Sequence, residues 1–541
     1  MPQHAIRPLA AHGPDSRSAR GWWRDAVIYQ VYVRSFADSD GDGVGDLPGI
    51  RERLPHLAGL GVDAVWLTPF YSSPQADGGY DVADYRAVDP RFGDLQDADD
   101  LVREAHRLGL RVIVDIVPNH TSDQHAWFRQ ALEGAPEARA RYHFHPGRGA
   151  GGELPPNDWE SVFGGPAWTR VTEPDGTPGP WYLHLFAPEQ PDLNWENPEV
   201  HAEFASVLQF WLELGVDGFR IDVAHGMVKA PGLPDIGRKE QAKLIGAQEL
   251  PFFDQDGVHA IHRSWRRLLD SWSGTPGQER IGVAEAWAPN SERLALYVRP
   301  DELHQAFNFQ FLHCPWDAAE MRAVIEESMA ATTSVGAPTT WVLSNHDVVR
   351  HTTRLGSTER ARAAALLLLA LPGSMYLYQG EELGLPEVTE LPDEVRQDPA
   401  FFRGEGQEGF RDGCRVPLPW HGDAPPYGFG PGGSWLPQPE EWKRLSVAAQ
   451  TGDPHSTLEL YRAALALRRE LPGLGDGPME WLDAPEGVLA LSRPGFVCVL
   501  NTRATEAEFP VPGRLLLSSA APSVEGARAL LPADSCTWWA V

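Results

Sequence analysis

The sequence predicts an α/β protein: a closed (β/α)8 barrel with a small domain inserted after its third strand and a C-terminal antiparallel β domain. Three observations carry this. Short apolar runs alternate with amphipathic segments of helical length along most of the 541 residues. The alternation breaks at two long stretches rich in Gly, Pro and aromatic residues. After Leu471 it gives way to short strand-like runs between Gly and Pro turns.

Taken in order, residues 1–20 read as a flexible tail, and the barrel spans 21–119 and 191–471. Its strands are expected at Val27 to Val33, Ala64 to Leu67, Arg111 to Val117, Gly218 to Asp222, Ile281 to Glu285, Ala306 to Phe309, Trp341 to Ser344 and Met375 to Gln379. Amphipathic segments at Pro48 to Leu60, Leu95 to Leu108, Val258 to Trp272 and Ala361 to Leu371 supply helices between them, the pattern of a parallel sheet with right-handed crossovers. Residues 120–190 are too long for a connection and form the inserted domain, and 385–449 make a second insertion after the last strand. In 472–541, Val488 to Ser492, Phe496 to Asn501, Arg514 to Ser518 and Cys536 to Val541 read as antiparallel strands.

A formal charge of -29 repels phosphate backbones and anionic membranes, so neither nucleic acid nor a membrane is expected as a partner, whereas an uncharged sugar is compatible. The longest apolar run, Ala363 to Leu371, is too short to span a bilayer. No apolar signal segment is visible near Met1, so the cytoplasm is the expected compartment. Cys314, Cys414, Cys498 and Cys536 make no CxxC pair and read as reduced thiols. The expected assembly is a monomer or small homo-oligomer.

The chemistry centres on Gly218-Phe219-Arg220-Ile221-Asp222-Val223. Alternation along a strand puts Arg220 and Asp222 on one side and Phe219, Ile221 and Val223 on the other. The arginine is expected to lower the carboxylate's pKa and keep it ionised, as a nucleophile requires; a structural ion pair is the plain alternative. Other polar clusters fall at the equivalent place in their own units: Asp115 to His120, Glu285, and His346 with Asp347. In a barrel they converge on the C-terminal mouth, where packing has no need of carboxylates. Such a set suits glycosidic-bond chemistry, with Asp222 as nucleophile and Glu285, among apolar neighbours that raise its pKa, as acid and then base. Separately, Asp38-Ser39-Asp40-Gly41-Asp42-Gly43-Val44-Gly45-Asp46 alternates carboxylates with glycines and can wrap oxygen ligands around a hard cation, calcium by preference. A solvated acidic turn remains the alternative, because the bidentate Glu of an EF-hand is missing.

DIVPNH (Asp115 to His120), GFRIDV (Gly218 to Val223), EAW (Glu285 to Trp287) and SNHD (Ser344 to Asp347) together resemble the α-amylase-type family of glycoside hydrolases from about Trp22 onward. QPDLNW (Gln190 to Trp195) resembles its oligo-1,6-glucosidase and α-glucosidase branch. The resemblance implies a retaining, exo-acting hydrolase of terminal α-linked glucose in short oligosaccharides, with Asp222 as nucleophile, Glu285 as acid/base and Asp347 gripping the sugar's secondary hydroxyls. It implies that Arg220 orients Asp222, that His120 and His346 bond the first sugar, and that Tyr80 stacks on it. Asp77 and Arg415 would pair to close the pocket, and Phe163, Phe186 and Gln190 complete the sugar-contacting set. Val223 resembles the valine of members acting on α-1,6 bonds. Asp38, Asp40, Asp42, the Val44 carbonyl and Asp46 resemble a structural calcium loop, and no organic cofactor is implied.

Plainer roles exist: capping or core histidines at His120 and His346, a packing aromatic at Tyr80, a structural salt bridge at Asp77. His225-Gly226 and Arg415 to Trp420 depart from the branch's commonest pattern. Two other functions use parts of the same evidence from the residues: a transglycosylating or isomerising relative of the sucrose isomerase or trehalose synthase type, and a non-catalytic ancillary subunit of a transporter. The sequence has no RLDRF-like segment of the first, and it lacks the membrane span of the second while keeping all three carboxylates.

Overall fold

A computed structural model describes residues 21–404 and 409–541, so the expected tail at 1–20 lies outside the described residues. Eight parallel strands form the central sheet: β1 (Val27–Val31), β2 (Ala64–Leu67), β3 (Arg111–Ile116), β4 (Gly218–Ile221), β5 (Ile281–Ala284), β6 (Gln305–Ala306), β7 (Thr340–Val342) and β8 (Ser374–Tyr378). Neighbours in sequence are neighbours in space from β1 to β6, and β8 joins β1 to β7. A parallel bridge between Phe307 and Thr340 brings β6 to β7 and nearly closes the barrel. The strands fill both faces with apolar side chains, as parallel strands with helices outside must. Ile28, Ala64, Trp66, Ile113, Ile281, Val283 and Tyr376 pack the interior, while Tyr29, Val65, Val112, Phe219 and Leu377 face the helices.

The helices start where capping chemistry allows. In α1 (Leu47–Leu60) the Asp46 carboxylate caps the Gly49 N–H and Pro48 sits in the first turn. It ends at Gly61, whose φ of 99° favours a residue without Cβ. In α2 (Leu95–Arg107) Asp94 and Asp97 form a reciprocal capping box. Further helices on the outside include α3 (Pro198–Leu214), α4 (Val258–Trp272), α5 (Ala318–Ser334) and α6 (Thr358–Ala370).

Strand ends differ from expectation by a residue or two, with one informative case. Ala306 to Phe309 is not a strand throughout: β6 ends at Ala306, and Asn308 caps a short helix beginning at Phe309. Between β3 and β4 the strands Trp168–Thr172, Pro178–Leu183 and Phe144–His145 make a small antiparallel sheet. Its apolar residues Trp159, Trp168 and Leu185 share a core with Leu250, Phe252 and Phe253 from the segment after β4, which anchors the insertion over the mouth. After α7 (Thr457–Glu470), strands β9 (Val488–Arg493), β10 (Phe496–Asn501), β11 (Arg514–Ser518) and β12 (Ser535–Ala540) belong to an antiparallel sheet docked on α6, where the Trp538 indole donates to the Leu366 carbonyl. The four cysteines are free, although the sulfurs of Cys498 and Cys536 lie 3.4 Å apart across β10 and β12. Among the described residues no helix is long and apolar enough to cross a membrane.

Candidate active site

The strand register sets the polar floor of the mouth. Asp115 on β3 lies opposite Arg220 on β4, and both point inward above the apolar interior. Arg220 Nη1 donates to Asp115 Oδ1 at 2.9 Å and to Asp222 Oδ1 at 2.6 Å, while Nη2 lies 3.8 Å from Glu285 Oε2. One guanidinium is therefore flanked by three carboxyls. Asp115 also accepts from the Trp66 indole and the Tyr80 hydroxyl, which locks the orientation of the arginine and the tyrosine together.

Asp222 sits one residue beyond the end of β4, where the chain leaves the sheet. Val223 has φ 45°, a left-handed conformation disfavoured for a β-branched side chain. This overturns the strict alternation expected from the sequence: Val223 does not join Phe219 and Ile221 against the helices but lines the mouth, packed with Phe253 and other residues of the insertion's core. The turn also aims the Val223 N–H at Glu285 Oε2, 2.8 Å away.

The expected depression of the Asp222 pKa is likewise corrected. Burial pushes it well above the usual carboxylate range; Arg220 pulls it down and the charge of Glu285 adds to the rise. Burial also raises Glu285, against the pull of Arg220 and the Val223 N–H, and raises Asp115 to about 6. One cation does not hold three buried carboxyls ionised at once. Arg220 contacts Asp115 and Asp222 directly and Glu285 only at 3.8 Å, so geometry puts the retained proton on Glu285.

Asp347 follows β7 in a different setting. Burial alone would raise its pKa, but His346, Arg411 and Arg415 outweigh it and hold the carboxyl well below its ordinary value. Arg411 Nη1 and Arg415 Nη2 reach Asp347 Oδ1 at 3.0 and 2.9 Å. His346 Nε2 lies 3.1 Å from Asp347 Oδ2, and its Nδ1 is 2.7 Å from the Gln30 amide nitrogen. Burial takes the His346 pKa down to about 3, so the neutral ring accepts from Gln30 and donates to Asp347. Burial lowers His120 as well.

The expected pairing of Asp77 with Arg415 is not the one formed. Arg411 Nη2 holds Asp77 Oδ1 at 3.0 Å and Asp398 Oδ1 at 2.7 Å, whereas Arg415 turns inward to the His346 carbonyl and Asp347. The two arginines lie four residues apart in a 3₁₀ turn, Arg411–Arg415, whose threefold repeat points them in different directions. Asp77 also accepts from the Gln190 amide at 3.2 Å, and Gln190 meets His120 Nε2 at 3.1 Å. Tyr80 stacks on His346, ring centroids 5.2 Å apart and planes 6° from parallel.

These residues surround a cavity of about 470 Å³ at the barrel mouth. Asp77, Tyr80, His120, Arg220, Asp222, Val223, Glu285 and Asp347 line it, as do Phe163 and Phe186 from the insertion. Gln190, His346 and Arg415 stand one layer behind and act on the wall through the contacts above. A larger cavity, about 1070 Å³ between the insertion and residues 227–233, holds none of the mouth carboxylates. Arg411 belongs to the wall and its role was missed in the sequence, as were those of Phe410, Ile245 and Phe253; their loops carry no periodic pattern, and only the charge of Arg411 marked it.

At the Asp38 to Asp46 loop, carboxylate oxygens of Asp38, Asp40 and Asp42 lie within 4.8 Å of one another. Asp46 differs from expectation: one oxygen accepts the Gly49 N–H as the cap of α1, and the other accepts both the Ser39 N–H and hydroxyl. Gly430 packs so closely on the loop that a Cβ there would meet Asp38 Oδ2 at 2.2 Å.

Fold and site define a glycoside hydrolase. The chain belongs to the alpha-amylase catalytic domain family, whose description matches residues 30–477. It is 40% identical over 496 residues to a probable alpha-glucosidase of Rhizobium meliloti, covering 88% of this chain and 87% of the relative. It is 35% identical over 487 residues to an oligo-1,6-glucosidase of Parageobacillus thermoglucosidasius, covering 83% and 84%. Among solved structures, an alpha-glucosyl transfer enzyme, XgtA, superposes with a TM-score of 0.86 at 38% identity, covering 96% of this chain and 99% of that one.

Proposed function

We propose that this protein is a retaining, exo-acting α-glucosidase that removes terminal α-linked glucose from short oligosaccharides. The observation that carries the proposal is the placement of Asp222 and Glu285 on the two amino groups of one guanidinium, at a pocket whose wall is clamped by Arg411. Glu285, protonated beside an ionised Asp222, gives its proton to the departing glycosidic oxygen as Asp222 attacks the anomeric carbon. Glu285, now ionised, takes a proton from water, which releases glucose with its configuration retained. Asp347, kept ionised by two arginines and an imidazole, accepts hydrogen bonds from the secondary hydroxyls, and these strengthen as the ring gains positive charge. Tyr80, fixed between His346 and Asp115, offers a flat face to the ring. The contacts of Arg411 to Asp77 and Asp347 leave room for one terminal residue, which supports exo action.

The test is azide rescue with an activated aryl α-glucoside. Glu285→Gln should yield the α-glucosyl azide and Asp222→Ala the β anomer, each from a background several orders of magnitude below wild type. Inverted glucose from wild type, followed by NMR early in the reaction, would overturn the assignment.

The Asp38, Asp40 and Asp42 oxygens fit a hard cation in chemistry and spacing, and calcium is the proposed ion. When bound it would neutralise crowded carboxylates and brace the start of α1; it supplies nothing to the reaction. The carbonyl of Val44 completes the proposed set, with Asp46 reserved for the helix cap.

A further inference from the structure

The pocket is chemically lopsided. The polar network from Asp77 through Tyr80 and Arg220 to Asp347 occupies one part. The remaining wall is apolar: Val162, Val223, Ile245 and Phe253 belong to one continuous cluster, joined at the mouth by Trp287 and Phe410. Trp287 lies flat on Phe309, centroids 4.0 Å apart and planes 15° from parallel. Its indole bonds the Glu285 carboxyl, so its single donor is already used. Since Glu285 must reach the leaving oxygen, this apolar side is where the leaving group or an incoming acceptor sits.

Two polar side chains interrupt it. Asn345 has its amide oxygen committed to the Asp347 N–H, and His225 is only 1% exposed with its ring 4.3 Å from that of Phe253. A second hexose here would bring several hydroxyls out of water and find few partners, and each unpaired hydroxyl weakens binding. An alcohol with one hydroxyl and an apolar body covers the same wall without that cost. Phe410 is built for such contact: it is 50% exposed at the mouth, edge-on to Phe401 at 6.0 Å, and the Arg396 guanidinium lies 5.3 Å from its ring centroid.

We infer that the leaving-group side selects alcohols with an aromatic or apolar body, as aglycones of α-glucosides and as acceptors in glucosyl transfer, and that Phe410 is the specificity-determining residue. The inference rests on the retaining reading above. In the transfer step the acceptor oxygen bonds to the glucose anomeric carbon while the bond from that carbon to Asp222 breaks, the electron pair returning to the Asp222 carboxylate. The acceptor's hydroxyl proton goes to the Glu285 carboxylate.

The experiment uses α-glucosyl fluoride, whose leaving group never touches this wall, with benzyl alcohol and glucose competing at equal concentration. Both acceptors draw on the same intermediate, so the product ratio reports acceptor binding and orientation. Benzyl α-glucoside should exceed total disaccharide by about tenfold. Phe410→Ala should cut that ratio by about fivefold, and Phe410→Trp should keep it. Disaccharide as the main transfer product of wild type, or a ratio unmoved in Phe410→Ala, would overturn the inference alone. Absence of fluoride release from wild type would overturn the hydrolase reading with it.

Discussion

Replacing Arg411 with Met removes one guanidinium from three carboxylates, Asp77, Asp347 and Asp398, at 3.0, 3.0 and 2.7 Å. Asp398 is fully buried and Asp77 nearly so, so both become unpaired charges in a poor solvent. Breaking a buried pair in this way costs about 3 to 5 kcal/mol. The lower end applies, because Asp398 keeps the backbone N–H groups of Ala400 and Arg411. Urea unfolding followed by tryptophan fluorescence should show the loss as a lower midpoint with an unchanged slope. Adding Asp398→Asn removes the stranded charge and should recover much of the stability. It should not recover activity, since Asp77 and Asp347 stay unclamped; kcat/KM on an aryl α-glucoside should remain down by about a hundredfold. The same variants have a pH signature. Burial raises the Asp398 carboxyl, but the charge and hydrogen bonds of Arg411 outweigh it and leave the pKa depressed. A folded pKa below the unfolded one gives stability that is present above about pH 4 and lost as pH falls further. Arg411→Met should flatten that loss. A single variant as stable as wild type, or a double variant no more stable than the single, would refute the reasoning.

Burial raises both Asp222 and Glu285, so kcat/KM should follow a bell in pH, its acid limb requiring ionised Asp222 and its alkaline limb protonated Glu285. The alkaline limb should vanish in Glu285→Gln; its persistence would remove the acid role from Glu285. At Val223, a hydroxyl in place of a methyl adds polarity beside the leaving group, and the ratio of kcat/KM for isomaltose over maltose should fall about tenfold or more in Val223→Thr. A ratio that does not fall transfers the linkage preference to other residues of the wall. Chelation should lower the melting temperature of wild type before it lowers turnover, and Asp42→Ala should already melt low and ignore the chelator. Equal melting of wild type and Asp42→Ala, with and without chelator, would dispose of the calcium proposal.

The sequence alone determined the barrel and the carboxylates at its mouth, because both follow from local rules. Parallel strands buried on both faces read as apolar runs, as in Arg111 to Ile116 and Ser374 to Tyr378, and the residue at a strand's end is carried to the mouth by the backbone itself. Asp222, Glu285 and Asp347 were legible on that account. The tertiary structure decided what depends on distant segments meeting. Asp77 follows β2 and Arg411 lies more than three hundred residues later, and only the seating of the 3₁₀ turn determines that Arg411, rather than Arg415, reaches it. The pKa of Asp222 was misjudged from its neighbour in sequence, because it depends on how many charges share Arg220 and how deeply all are buried. Val223 left its expected face because the chain turns at Asp222, and Asp46 went to the cap of α1. Local pattern names the groups a site can use; which of them share a charge, a hydrogen bond or a wall is settled by packing across the whole chain.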